Sequence, residues 1–147
     1  MAQNAQLPKY VKIKKNGVEY LDGTERCKYS MHELLRAALR DVGKYVLKQA
    51  RQKLPKRTGR ARRNLQSWVR KKQKYPDLQV GYKPQGFYGG FYELGTEKIL
   101  KIAPLYSAVL DNIDEIRRIE GQYLSAIEDE NRILGLVDEE ETISDDE

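Results

Sequence analysis

The chain has few of the residues that enzyme and metal chemistry most often use. It contains one cysteine, Cys27, and one histidine, His32. A lone cysteine excludes an intrachain disulfide and makes a reducing compartment the expectation. Without a Cys or His pair, the spacing that holds a structural zinc is missing. Nucleophilic catalysis needs a nucleophile, a base and an orienting group, and neither Cys27 nor His32 stands in such a constellation. No apolar run approaches the roughly 18 residues of a membrane span. The start, Met1-Ala2-Gln3-Asn4, lacks the apolar stretch of a signal peptide. The expectation is a non-enzymatic protein with no cofactor, no metal and no membrane partner, made in the cytoplasm.

Apolar residues make up 39% of the 147 positions and charged residues 33%, so a single domain with a small core and much partner-facing surface is expected. Ten Tyr stand against two Phe and one Trp. That balance favours half-buried rings that keep one end wet, as interfaces do. The net charge of +5 conceals an asymmetry: residues 1–106 hold 24 Lys/Arg and 8 Asp/Glu, whereas residues 107–147 hold 3 and 14. A basic body with an acidic tail fits nucleic-acid contact, pairing between subunits, or two solvated faces of opposite sign.

Hydrophobic patterning predicts an α+β fold: a small antiparallel sheet packed with one long helix from the N-terminal half and a C-terminal helix, preceded by a β-hairpin. Residues 10–14 and 18–21 flank Lys15-Asn16-Gly17, whose Asn-Gly supplies the positive φ of a tight hairpin turn. Residues 30–52 carry helical spacing, with Ser30 and Glu33 as a capping pattern and Pro55 as the stop. Residues 65–71 and 77–82 alternate as strands about the turn-like Lys74-Tyr75-Pro76-Asp77. Residues 83–90, with Pro84, Gly86, Gly89 and Gly90, read as a loop, and Phe91-Tyr92-Glu93 as a short strand or turn ending at Gly95. A last helix is expected from Pro104 to near Asn131, with Val109, Ile113, Ile116, Tyr123 and Ile127 as its seam. This divides the chain into an arm (1–29), a domain (30–131) and an acidic tail (132–147) too poor in apolar residues to fold alone.

Two stretches carry the functional signal. Residues 53–65 place six Lys/Arg in thirteen positions around Pro55, Thr58 and Gly59. They are not a P-loop, because that motif needs two bracketing glycines between a strand and a helix, and here a helix comes first. The second stretch is Tyr88-Gly89-Gly90-Phe91-Tyr92-Glu93-Leu94-Gly95-Thr96. Arg62, Arg63, Arg70, Lys71 and Lys72 are candidate DNA contacts beside Trp68 and Tyr75, with an electrostatic signal of low specificity.

A helix, Pro55-x-x-Thr58-Gly59, a basic strand, Val80-Gly81, Tyr88, Tyr92-Glu93-x-Gly95-Thr96 and Pro104 before a terminal helix occur here in order. Over residues 30–130 this order resembles the neck and tail-completion (minor tail) family of long-tailed double-stranded DNA phages and prophages, similar to lambda's minor tail protein Z. Where that family usually has a leucine after Thr-Gly, this chain has Arg60-Ala61-Arg62-Arg63. The resemblance implies a structural virion protein at the head–tail junction, assembled in the bacterial cytoplasm as a homo-oligomeric, hexameric ring. Its implied partners are other neck and tail proteins (head-closure, tail-terminator or tail-tube proteins) and packaged DNA in the channel. It assigns Pro55, Arg57, Thr58, Gly59, Arg60, Tyr88, Gly89, Tyr92, Glu93, Gly95 and Thr96 to assembly. Glu93 is expected to meet a basic residue of the Lys56–Arg63 loop, within or between subunits. The alternative is a basic DNA- or RNA-binding accessory protein without sequence specificity.

Overall fold

A computed structural model describes residues 7–56, 59–70 and 74–127. The expected mixed α+β architecture is what it contains. Two strands, β1 (Val11–Lys15) and β2 (Val18–Asp22), are followed by a 30-residue helix, α1 (Thr24–Lys53). A single-turn helix, α2 (Arg60–Arg63), leads to β3 (Leu65–Arg70) and β4 (Asp77–Tyr82). After a 3-10 turn at Pro84–Gly86 come α3 (Gly89–Leu94), α4 (Pro104–Leu110) and α5 (Ile113–Leu124). The strands form two separate antiparallel ribbons, β1–β2 and β3–β4.

α1 is the spine. Leu34, Ala37, Ala38, Val42, Val46 and Ala50 are buried along it at helical spacing, and they join Leu65, Ala108, Ile119 and Tyr123 in one core. The helix starts six residues earlier than the Ser30 cap pattern predicts. Asp22 accepts hydrogen bonds from the Thr24 amide (2.9 Å) and Thr24 hydroxyl (2.6 Å), which provides an earlier start. The Thr24 side-chain and backbone donors hold the Asp22 carboxyl below its usual range. Ser30 is consequently a buried residue inside the helix, and Glu33 pairs with Arg36 one turn on. At the other end, Leu54 is extended (φ −76°, ψ 141°) ahead of Pro55, as a pre-proline residue should be.

β3–β4 lies on α1, in the register Leu65↔Tyr82 to Arg70↔Asp77. Close approach depends on Gly43, where a Cβ would stand 2.9 Å from the Ser67 hydroxyl and 3.0 Å from Leu78 Cδ1. The β1–β2 turn is Asn16 (φ 52°) and Gly17 (φ 77°), the two positive φ values of a type I′ hairpin. All ten strand residues of that hairpin are exposed.

Two expectations are corrected. Residues 84–94 are not a loop followed by a strand; they wind as a 3-10 turn and α3, with Gly90 donating to the Phe87 carbonyl and Phe91 to that of Tyr88. The single terminal helix is broken at Asp111–Asn112, because the Asn112 side-chain amide turns back to the Ala108 carbonyl (2.8 Å) and competes with the helix ladder. The buried stripe nevertheless keeps one helical phase across the break, and Ile116 and Tyr123 of the expected seam belong to it. Ala108, Ile119, Tyr123 and Ala126 face the core, whereas Val109, Ile113 and Ile127 of the expected seam are exposed. Asn131 and the acidic tail lie outside the described residues.

Candidate functional site: a cleft of guanidinium and aromatic groups

The two stretches singled out in the sequence meet. Pro55, Gly59, Arg60, Ala61 and Arg63 from one, and Tyr88 and Tyr92 from the other, line a cleft of about 470 Å³ with Ile99. Arg57 and Thr58, which belong to the same loop, lie outside the described residues, as do Lys71 and Lys72.

The basic wall is built on the end of α1. The Arg62 guanidinium donates to the Leu54 carbonyl from Nε (3.0 Å) and Nη2 (2.8 Å), and reaches the Gln52 carbonyl at 3.5 Å. Those carbonyls have no partner within the helix, so a cation there satisfies them and opposes the negative end of the helix dipole. Gly59, at φ 64°, turns the chain into α2. Asn64 then closes α2 through its side-chain bond to the Arg60 carbonyl (2.7 Å) and accepts the Lys83 amide (2.7 Å). Arg62→Ala is expected to lower stability by about 1–2 kcal/mol, from the lost charged hydrogen bonds. The urea midpoint measures it.

The aromatic wall is the entry to α3 and its first turn. Phe87 and Tyr88 stack with ring centroids 4.0 Å apart, and Phe91 meets both edge-on at 6.2 and 6.3 Å. The Arg60 guanidinium lies 6.0 Å from the Tyr88 ring centre, at the limit of a cation–π contact. Phe87, Tyr88 and Phe91 are all exposed. Ile99 lines the cleft without a local signal in the sequence, whereas Phe87 and Phe91 meet the Tyr88 ring without lining the cleft themselves.

Behind this wall, Tyr92-Glu93-x-Gly95-Thr96 is a clasp. The Tyr92 carbonyl accepts the amides of Ile102 and Ala103, both at 2.9 Å. The Glu93 carboxylate accepts the Leu105 amide (2.7 Å) in the first turn of α4 and the Tyr82 hydroxyl (3.3 Å). Gly95 takes a left-handed φ of 78° against Lys101, and Thr96 closes a turn with Ile99 through both backbone and hydroxyl. Gly89 is buried because the Tyr82 ring leaves no room for a side chain there. Within the chain, then, Gly89, Glu93, Gly95 and Thr96 hold α3 in place, while Pro55, Gly59, Arg60, Tyr88 and Tyr92 form the cleft.

Burial, and then the adjoining Glu93 carboxylate, push the Tyr82 phenol well above its ordinary 10.0. Below that value folded and unfolded chains both hold the proton, and the stabilisation is complete. As pH rises past it, the unfolded chain ionises first and stability falls. Tyr82→Phe is therefore expected to flatten the alkaline fall in urea midpoint above about pH 10, where an ordinary phenol ionises.

The candidate DNA contacts separate. Arg70 forms a fork with Asp77 across β3–β4, with Nε at 2.7 and 3.0 Å from the two oxygens, and the pairing holds the Asp77 carboxyl low. Arg62 serves the helix end, whereas Arg63 is exposed and lines the cleft. His32 Nε2 lies 3.0 Å from the Lys74 carbonyl, and Cys27 Sγ lies 3.8 Å from Met31 Sδ. The cleft's lining of guanidinium, phenol and hydrocarbon is suited to recognition of a surface or a polyanion. No protein-family model, no curated protein and no solved structure matches the chain.

Proposed function

We propose that this chain is a non-enzymatic structural protein of the head–tail junction of a long-tailed double-stranded DNA phage, forming a ring that joins the tail to a DNA-filled head. The observation that carries the proposal is convergence. The two stretches on which the family resemblance rests line one exposed cleft, and Glu93 of the second stretch ties its support to α4. Exposed aromatic rings beside arginine are the composition of interface anchors. The site of action is the virion, after assembly in the bacterial cytoplasm, with neck and tail proteins as neighbours.

The test is a pair of surface substitutions, Arg60→Ala and Tyr88→Ala, in a particle-assembly assay. Both side chains are exposed, so the folded monomer is expected to keep its circular dichroism while head–tail joining falls at least tenfold. Unimpaired joining by both variants would remove the cleft from the account.

The stacked ring platform with Arg60 and Arg63 also favours a second reading, sequence-independent binding of nucleic acid, in which bases stack and arginines meet phosphates. Binding to duplex and single-stranded DNA across a salt series separates the two. Nucleic-acid binding predicts a steep loss of affinity with salt that Arg63→Ala makes shallower, whereas a protein-assembly cleft predicts a slope near zero.

A further inference from the structure

The lining of the cleft between α2 and α3 is of one sign. Arg60 and Arg63 line it, and no Asp or Glu does. Both arginines are exposed, on a single-turn helix that Arg62 pins to the Leu54 carbonyl. Lys56, exposed and next in the chain to Pro55, adds a third cation. Glu93 of α3 is not among the lining residues; it accepts the Leu105 amide and the Tyr82 hydroxyl instead. The rest of the lining, with Pro55, Tyr88, Tyr92 and Ile99, is ring and hydrocarbon. Such a cleft fits an acidic segment with an apolar residue at its centre.

The chain carries a segment of that pattern. Asp138-Glu139-Glu140-Glu141-Thr142-Ile143-Ser144-Asp145-Asp146-Glu147, outside the described residues, holds seven carboxylates and no Lys or Arg in ten positions. Four of them precede Ile143 and three follow it. Its charge complements the cleft, and its apolar residue falls between the acidic runs.

Reach decides whose segment it is. Leu124 and Ile127, at the end of the described chain, stand beside Met31 and Leu35 of α1. From Leu35 to Lys53 the helix rises about 27 Å at 1.5 Å per residue, and the cleft begins two residues on. The ten residues 128–137 reach up to about 33–36 Å when extended, and the acidic residues add their own length. The segment therefore spans to the cleft of its own chain. A ligand tethered on that scale has an effective concentration of order millimolar, above that of a second copy free in solution.

We propose that residues 138–147 dock in the α2–α3 cleft of their own chain, so that a partner has to displace them to bind there. Carboxylates meet the guanidinium groups in charge-assisted pairs, and Ile143 lies against the rings and Ile99. Because the cleft is open to solvent, salt screens the contact and weakens it. The inference rests on the reading of this cleft as the recognition surface, and not on which partner it meets.

The 147-residue chain with the segment neutralised tests it, carrying Asp138→Asn, Glu139→Gln, Glu140→Gln, Glu141→Gln, Asp145→Asn, Asp146→Asn and Glu147→Gln together. The probe is a fluorescein-labelled peptide of the native 138–147 sequence, followed by anisotropy at low salt. The neutralised chain is expected to bind the peptide roughly tenfold more tightly than the unsubstituted chain, whose own segment competes. Adding Arg63→Ala to the neutralised chain should weaken that binding roughly fivefold, and adding Lys12→Ala, on the exposed hairpin, less than about twofold. Equal affinity of the neutralised and unsubstituted chains, or no peptide binding by either, overturns the docking. So does a loss from Lys12→Ala as large as that from Arg63→Ala, which would spread the segment over the whole basic body. Ile99→Cys with Ile143→Cys, in a Cys27→Ser chain oxidised mildly, separates the chain's own segment from a neighbour's. A disulfide within one chain is expected; a species of two linked chains, or no disulfide, overturns docking within the chain. All these outcomes leave the cleft's role toward a partner to the particle-assembly assay with Arg60→Ala and Tyr88→Ala, so the two readings fail separately.

Discussion

Leu54→Ala is expected to lower the free energy of unfolding by about 3 kcal/mol, within the range for emptying a fully buried leucine site. Leu54 keeps only 2% of its accessible surface and is among the largest fully buried side chains of the described residues. Its position makes collapse around the vacancy difficult. Its backbone is extended before Pro55, and its carbonyl is held by Arg62 from α2, so neither side can move in without breaking a constraint. For a chain of this size the thermal midpoint should fall by roughly 6–12 °C. The consequence reaches the cleft, because the basic wall is anchored to this residue's carbonyl. A midpoint within about 2 °C of the unsubstituted protein, less than 1 kcal/mol, would mean that the end of α1 is not packed as described.

Gly89→Ala is expected to cost about 2–3 kcal/mol, at the upper end of the range for overpacking plus the loss of one hydrogen bond. An added Cβ would stand 2.2 to 2.4 Å from three atoms of the Tyr82 ring. No small adjustment relieves that distance, so the ring must leave, and its hydroxyl then loses the Glu93 carboxylate. Glu93 also caps the start of α4 through the Leu105 amide, which couples α3, β4 and α4 at one point. Gly90→Ala is the control. A Cβ there meets nothing within 4 Å, and the position lies in α3, so the change should be neutral or stabilising by up to about 1 kcal/mol. Equal destabilisation by both would show that glycine matters here for backbone freedom, not for the packing of Tyr82.

These two sites also show what the sequence can and cannot disclose. α1 and the β3–β4 ribbon are legible because their apolar residues recur at the helical and strand periods over enough positions to outweigh local noise. The Asn16-Gly17 turn is legible from two residues, since few other pairs accept its φ values. Residues 84–94 mislead because Pro84, Gly86, Gly89 and Gly90 have low helix propensity. Tertiary packing overrides it: Gly86 lies against Asn64 and Gly89 against Tyr82, and only glycine allows those approaches. The break at Asn112 depends on a side-chain bond to Ala108 that competes locally with the helix, which periodicity cannot register.

For the site, the sequence marks the two stretches that line the cleft but not their division of labour. Arg62 looks like its neighbours in the sequence, yet it reaches carbonyls eight and ten residues earlier, while Arg63 faces the cleft. The sequence pairs Glu93 with the basic loop, whereas its donors within the described residues are Tyr82 and Leu105, 11 and 12 residues away along the chain. Both roles depend on the folded path of the backbone and leave no local pattern.

Assembly into a ring is the proposed mode of action. Native mass spectrometry of the 147-residue chain, alone and with candidate phage neck proteins over a concentration series, tests that proposal most directly. The account predicts a closed species whose mass is a whole multiple of 17.1 kDa and which loses subunits when Arg60→Ala and Tyr88→Ala are combined. A single 17.1 kDa chain at every concentration, with and without those partners, would contradict it.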